Sequence, residues 1–349
     1  MSEKIQKEVE KERFKKRKIK NITLIFSMFI ILIVISFISI SVGASSVNVS
    51  DVLNIIFKKE VTDMQRQVVL LIRLPRVLAG ILSGMALASA GLLMQGVFQN
   101  PLVSPYTLGI SNGAAFGAAL AIIFGSRFSF ISLGQYLIPV SAFTFSIITM
   151  ILVYYVAKLA KDNTKTLVLS GVAVGYLFSA LVSSLKYISD VRELPELVFW
   201  TMGGLSGIPW VAIMIMLVTV TISLIIMMKY AWDLNVMAFG EETALSLGVN
   251  YKKTRNIALV ICTLLTAVAV SFTGVIGFIG LISPHVIKMI IGTDHRYSIP
   301  ASALFGGILL LTADTIARNI IAPTELPVGI ITSFIGVPFF IYLICTKKR

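Results

Sequence analysis

The sequence predicts an all-α polytopic membrane protein with about ten transmembrane helices and both N- and C-termini cytoplasmic. Three observations carry this expectation. The 349 residues are 56% hydrophobic and 13% charged, with a mean hydropathy of +0.90, where ordinary globular domains carry roughly 25% charged residues. Apolar runs of spanning length recur at 22–42, 76–98, 107–125, 136–157, 166–186, 208–228, 256–273, 275–291, 298–317 and 327–345, each near the roughly 20 residues that cross a bilayer. With the N-terminus inside, 21 of the 30 Lys+Arg fall in cytoplasmic segments, while the acidic residues divide 9 to 8. That asymmetry in basic residues alone is what the positive-inside rule describes. The seventh and eighth runs are separated only by Gly274 and Gly277. Merging them would move the Lys347–Arg349 cluster outside and weaken the bias.

Residues 1–21 read as a basic cytoplasmic tail, ahead of a single transmembrane domain over 22–349. Nine of the 30 Lys+Arg precede Asn21, among Glu3, Glu8, Glu10 and Glu12. Beside an apolar run, such a tail contacts lipid headgroups, so the net charge of +13 does not point to nucleic acid. The run at 22–42 is longer than the 7–15 apolar residues of a cleaved signal, so it is expected to remain as a span.

The block from Arg73 to Gly117 is the most informative in the chain. It opens with Arg73 and Arg76 around Pro75, runs through small apolar residues, breaks at Gln99-Asn100-Pro101 and again at Pro105, and resumes. Non-helical backbone at membrane depth is tolerated only where protein or a water-filled cavity covers it, so the break points to a transport machine. An interruption at Gly280–His285 in the eighth run echoes it, as paired interruptions in two halves of a transporter do. Between the sixth and seventh runs, the inside connection of about 229–255 carries Glu241 and Glu242 ahead of Ala244, Leu245 and Leu247. Gly248 is placed to end the helix. A short cytoplasmic helix of this kind docks on a partner or rests on lipid; acidic residues on its polar face favour the partner.

Some chemistry is excluded. Cys262 and Cys345 sit in apolar runs, and His285 and His295 are the only histidines. No spacing suits a metal site, and no cofactor is expected to bind directly. The chain lacks a G-x-x-x-x-G-K-[ST] phosphate loop. It is therefore not expected to hydrolyse nucleotide itself and is read as non-catalytic.

Seven ordered motifs resemble the FecCD family: Arg73-Leu-Pro-Arg76, Gln99-Asn100-Pro101-Leu102, Leu108-Gly-Ile-Ser-Asn-Gly-Ala114, Ala244-Leu-Ser-Leu-Gly248, Gly277-Phe-Ile-Gly280-Leu-Ile-Ser-Pro284-His285, Thr293-Asp-His-Arg296 and Glu325-Leu-Pro327-Val-Gly329. The resemblance spans nearly everything after about residue 65. It implies a type II ABC importer permease-like fold in the bacterial plasma membrane, importing an iron chelate (siderophore or haem), vitamin B12 or a similar bulky ligand. The implied partners are a second permease subunit, identical or related, two ATP-binding subunits inside, and an extracytoplasmic substrate-binding protein outside.

The same resemblance implies roles. Arg73, Arg76 and Arg318 would dock the binding protein's acidic residues; snorkelling to headgroups is the plainer account of the first two. Glu241, Glu242, Leu247 and Gly248 would contact the ATPase. Gln95, Gln99 and Asn100 would line the pathway, with Asn163 and Thr164 at a cytoplasmic gate, although Lys165 departs from the small polar residue of the vitamin B12 permease. Asp314, the one acid inside a predicted span, is explained by an i, i+4 pair with Arg318. An ion-gradient-driven secondary transporter is the rival class. It needs coupling carboxylates near the midplane, and the spans offer only Asp314 near one end.

Overall fold

The computed structural model describes residues 2–43, 48–56, 59, 61–125, 134–160 and 164–346, without the side chains of 2–8, 10, 56, 343, 344 and 346. Among these residues there is helix and turn but no strand. The helices are α1 (Ser2–Ser41), α2 (Val49–Ile56), α3 (Asp63–Gln67), α4 (Leu74–Val97), α5 (Ile110–Phe124), α6 (Leu137–Leu159), α7 (Thr164–Ile188) and α8 (Glu193–Met202). There follow α9 (Trp210–Lys229), α10 (Ala231–Met237), α11 (Glu241–Ser246), α12 (Tyr251–Thr273), α13 (Ile279–Ile290), α14 (His295–Asn319) and α15 (Val328–Thr346).

Seven helical stretches are long and apolar enough to cross a membrane: 11–41, 63–97, 134–159, 164–188, 210–229, 251–273 and 295–319. The other three predicted spans correspond to shorter apolar helices, α5, α13 and the 328–342 part of α15. Two expected boundaries move. The basic 1–21 segment and the first apolar run form one unbroken helix, α1. The second span begins earlier, because α3, capped by Thr62 and Gln65 in a reciprocal box, runs through a π-helical turn at Val68–Arg73 into α4.

Helix α4 is the axis, buried along nearly its whole length against α14, α12, α13 and α9. Its small residues permit this. A Cβ on Gly84 would overlap the backbone of Gly306 in α14, and one on Gly91 the backbone of Gly280 in α13. Helices that lack a hydrophobic driving force between them associate through such close backbone approach. Helix α5 packs on α6 and α7 to one side, and α1 lies along α14 on the other. Large apolar side chains on the outer faces of α1, α7, α9 and α15 remain exposed, among them Phe26, Leu177, Ile225 and Phe334.

The break expected after α4 is present. Gln99 takes a left-handed φ of 47° and Asn100 Oδ1 accepts from Leu102 N at 3.0 Å, so the chain turns before α5. The connection between α9 and α12 is two short helices, divided at Gly240 (φ 102°). α11 ends in a paired motif: Gly248 N donates to Leu245 O and Val249 N to Ala244 O, with Gly248 at φ 80°.

Candidate functional site

At one end of the bundle, α4 and α14 bring Arg73, Arg76 and Arg318 together. All three are buried, at 4%, 8% and 7% exposure. Arg76 Nε donates to both Asp314 oxygens at 3.1 Å and Nη2 to Oδ1 at 2.8 Å. Its Nη1 reaches Glu325 Oε2 at 2.7 Å and Ser206 Oγ at 3.1 Å. Arg318 Nε lies 3.1 Å from Asp314 Oδ2, the expected i, i+4 pair, while its Nη2 donates to Ser39 O and Oγ at 3.1 and 2.7 Å. Arg73 Nη1 donates to Ile40 O at 2.6 Å and Ser41 O at 3.1 Å. The last carbonyls of α1 thus receive two guanidiniums. Cations are favourable there because a helix C-terminus carries partial negative charge and unpaired acceptors.

Three guanidiniums face two carboxylates in this cluster, and the two acids differ. Asp314 is fully buried, whereas the Glu325 side chain is 46% exposed. Partial burial alone would raise the Glu325 carboxyl. The hydrogen bond and charge of Arg76, helped by Ser206 and Arg318, outweigh it and hold the carboxyl below its ordinary range.

Toward the other end of α4, Gln95, Gln99 and Asn100 line a cavity of about 470 Å³ with Asn235, Phe239, Lys288, Thr293, Asp294 and His295. Gln95 bridges α13, its Nε2 donating to Leu281 O at 3.4 Å and its Oε1 accepting from Lys288 Nζ at 3.1 Å. Gln99 Nε2 donates to Met237 O at 2.5 Å, tying the turn to the end of α10. Asn235 Nδ2 donates to Asp294 Oδ1 at 2.9 Å, which turns Asn235 Oδ1 toward His295 N and Nδ1, both 2.8 Å away. The Asp294 carboxyl feels burial, which would raise it, but Arg296 and Asn235 hold it below its ordinary range. Thr164 opens α7 and is not on this cavity wall; Asn163 lies outside the described residues.

Beyond the cavity, α11 projects at the surface. Glu241, Glu242, Leu245, Leu247 and Gly248 are exposed, Leu247 at 62%, while Ala244 anchors the helix inward. On another face, an apolar groove of about 770 Å³ runs between α13 and α15. Phe278, Leu281, Ile330, Phe334 and Val337 line it, with the Ser104 and Ser333 hydroxyls. Among the described residues no group of three or more His, Cys, Asp or Glu could hold a metal ion.

A buried helix axis crossed through glycines, with seven helices long and apolar enough to cross a membrane, marks an integral membrane protein of the polytopic class. The chain belongs to the FecCD transport family, whose model matches residues 31–346. It is 38% identical over 322 residues to the hemin transport system permease protein HmuU of Yersinia pestis, covering 92% of this chain and 95% of that one. It is 35% identical over 332 residues to the molybdate import system permease protein MolB of Haemophilus influenzae, covering 93% and 96%. Among solved structures, an inward-facing metal-chelate type ABC transporter superposes with a TM-score of 0.81 at 33% identity, covering 93% of this chain and 99% of that chain.

Sequence reasoning reached the arginines, Asp314, the α4 turn and α11. It passed over Lys288, a cation inside an apolar run whose position within a predicted span was the available signal. It also passed over Ser206 and Asn235, which carry no motif and matter only through contacts distant in sequence.

Proposed function

We propose that the chain is the non-catalytic permease subunit of an ATP-driven importer that passes an iron chelate, siderophore or haem, or a similarly bulky ligand, into the cytoplasm. The observation that carries this reading is the match, over nearly its whole length, to a metal-chelate type ABC transporter, together with an apolar groove wide enough for a ligand larger than an ion. HmuU supports haem-like cargo and MolB a smaller oxyanion; the groove's apolar wall favours the former. In this reading ten helices cross a bacterial plasma membrane, the three shorter ones included, with both termini cytoplasmic. Two such subunits, identical or related, face each other.

The exposed acids and leucines of α11 are the contact for an ATP-binding subunit: Glu241, Glu242, Leu247 and Gly248 stand on a surface helix seated by one buried alanine. Gln95, Gln99 and Asn100, with Asn163 and Thr164, guard the inner end of the pathway. Arg73, Arg76 and Arg318 receive acidic residues of an extracytoplasmic binding protein. Support for that role is the gathering of three guanidiniums at one end of the bundle and the solvent-facing Glu325 arm. A partner carboxylate would displace Glu325 from Arg76 while Asp314 stayed buried. Asp314 itself has both oxygens engaged by arginines, which leaves it poorly suited to ion coupling.

The test is uptake into vesicles containing the purified subunit and candidate ATPases. Uptake is expected to need internal ATP and an external binding protein. Uptake driven by an ion gradient with no ATPase present would overturn the proposal.

A further inference from the structure

The inner cavity holds a charge that the chain does not balance. Lys288 stands on apolar α13, and its ammonium makes one hydrogen bond, to Gln95 Oε1. No carboxylate lies within ion-pair distance among the described residues. The acid on the cavity wall, Asp294, is engaged by Arg296 Nε and Nη2 at 3.0 and 2.7 Å and by Asn235. A partly buried cation without a counter-ion is unfavourable, and groups held that way cluster at binding sites.

Two further donors on the wall, Nδ2 of half-buried Asn100 and the hydroxyl of exposed Thr293, have no partner among the described residues. His295 is 4% exposed, and its tautomer is fixed. Asn235 Oδ1 can only accept, so the proton sits on His295 Nδ1 and the Nε2 lone pair faces the wall at Gly96 without a donor. One ammonium and two donors without a partner among the described residues share a cavity of about 470 Å³, far larger than the roughly 30 Å³ share of one water, while His295 Nε2 is closed off against Gly96 and takes no part.

We propose that this cavity binds a tetrahedral oxyanion of the phosphate class, with its charge on Lys288 and its remaining oxygens on Asn100 and Thr293. The site lies directly behind the α10–α11 segment, because Ala238 and Phe239 line it and Gln99 ties its wall to Met237. Occupancy would therefore fix the base of the segment that the proposed ATPase contacts. Binding itself does not depend on the cargo or on the transport reading. The oxyanion is either free phosphate or the phosphate of a lipid headgroup.

The full-length chain, purified in neutral detergent, is titrated with inorganic phosphate against chloride at matched ionic strength, and thermal unfolding and phosphorus NMR line-broadening are read. A second arm compares vesicles of phosphatidylglycerol with vesicles of phosphatidylcholine. Saturable, phosphate-specific stabilisation is expected, weakened at least roughly tenfold in Lys288→Gln, as loss of one charge-assisted hydrogen bond implies, and kept by Lys288→Arg. Should Lys288→Gln fold poorly, competition of molybdate against phosphate line-broadening on the unaltered protein supplies the same answer. Silence toward phosphate with a Lys288-dependent effect of phosphatidylglycerol assigns the site to lipid. Responses to both oxyanion sources that match chloride and phosphatidylcholine overturn the proposal. So does a Lys288→Gln defect confined to ATPase association, which would make the counter-ion a protein carboxylate.

Discussion

The two ends of the α4–α14 pair are built on opposite principles. At the Arg76 end, every guanidinium nitrogen described above meets an oxygen of the same chain, and the two acids tie α4, α14 and the turns at Ser206 and Glu325 into one cluster. At the Gln95 end, a lysine and an amide face a cavity with their bonds incomplete. A dense network of paired charges fixes geometry, whereas a sparse one leaves binding energy for something that arrives. The difference implies that stability concentrates at the first end and responsiveness at the second. Mutations at the two ends should separate these properties.

The largest effect is expected from Asp314→Ala. It leaves Arg76 and Arg318 buried without their shared carboxylate, and breaking a buried pair from one side costs roughly 3–5 kcal/mol. Thermal unfolding in detergent should show a large drop in Tm, far beyond that of Lys288→Gln. Equal drops would erase the contrast between the ends. Next in size is Gly91→Leu, which drives a side chain into the Gly280 backbone one turn from Gln95. Overpacking of this kind costs typically about 1–3 kcal/mol. Size-exclusion profile and Tm together should show a loosened but membrane-inserted protein; an unchanged Tm would mean that the α4–α13 crossing yields.

The contrast was only half legible in the sequence. Asp314 and Arg318 were readable because four residues on one helix place them side by side. The Arg76–Asp314 bond joins positions 238 apart, and Arg73 reaches α1 across more than thirty residues; no local pattern encodes either. Hydropathy located the spans, but it could not see that α1 continues from its basic segment without a break, or that α3 and a π-helical turn extend α4. Helix α8 was missed because its ten residues are too few to register as a span. Lys288 was hidden for a different reason. Its place inside an apolar run was a signal, but the lack of a nearby carboxylate that gives it meaning appears only in the fold.

A smaller and more selective effect is expected at α11. Leu247→Ala trims a side chain that is 62% exposed, so stability should move by less than about 0.5 kcal/mol. Co-purification with an ATP-binding subunit should fall several-fold, since apolar anchors dominate interfaces. If association is unaffected while Tm falls, α11 belongs with the rigid end after all.

The finest test uses the two acids whose carboxyls are held low, Glu325 at one end and Asp294 at the other. A carboxyl depressed in the folded state adds stability that is complete above its unfolded value and is lost as pH falls through the folded one. For Glu325 that loss begins below about pH 4.5. Because its side chain is half exposed, solvent screens the pair and the contribution stays below about 1 kcal/mol. Glu325→Gln should therefore leave Tm at pH 7 only slightly reduced while flattening the decline between pH 5 and pH 3, with the slope from Asp294 intact. An acid slope that Glu325→Gln does not change would show that Arg76 relies on Asp314 alone. The exposed arm would then be free to yield to an incoming carboxylate without loss, and the outer cluster would be as responsive as the inner cavity.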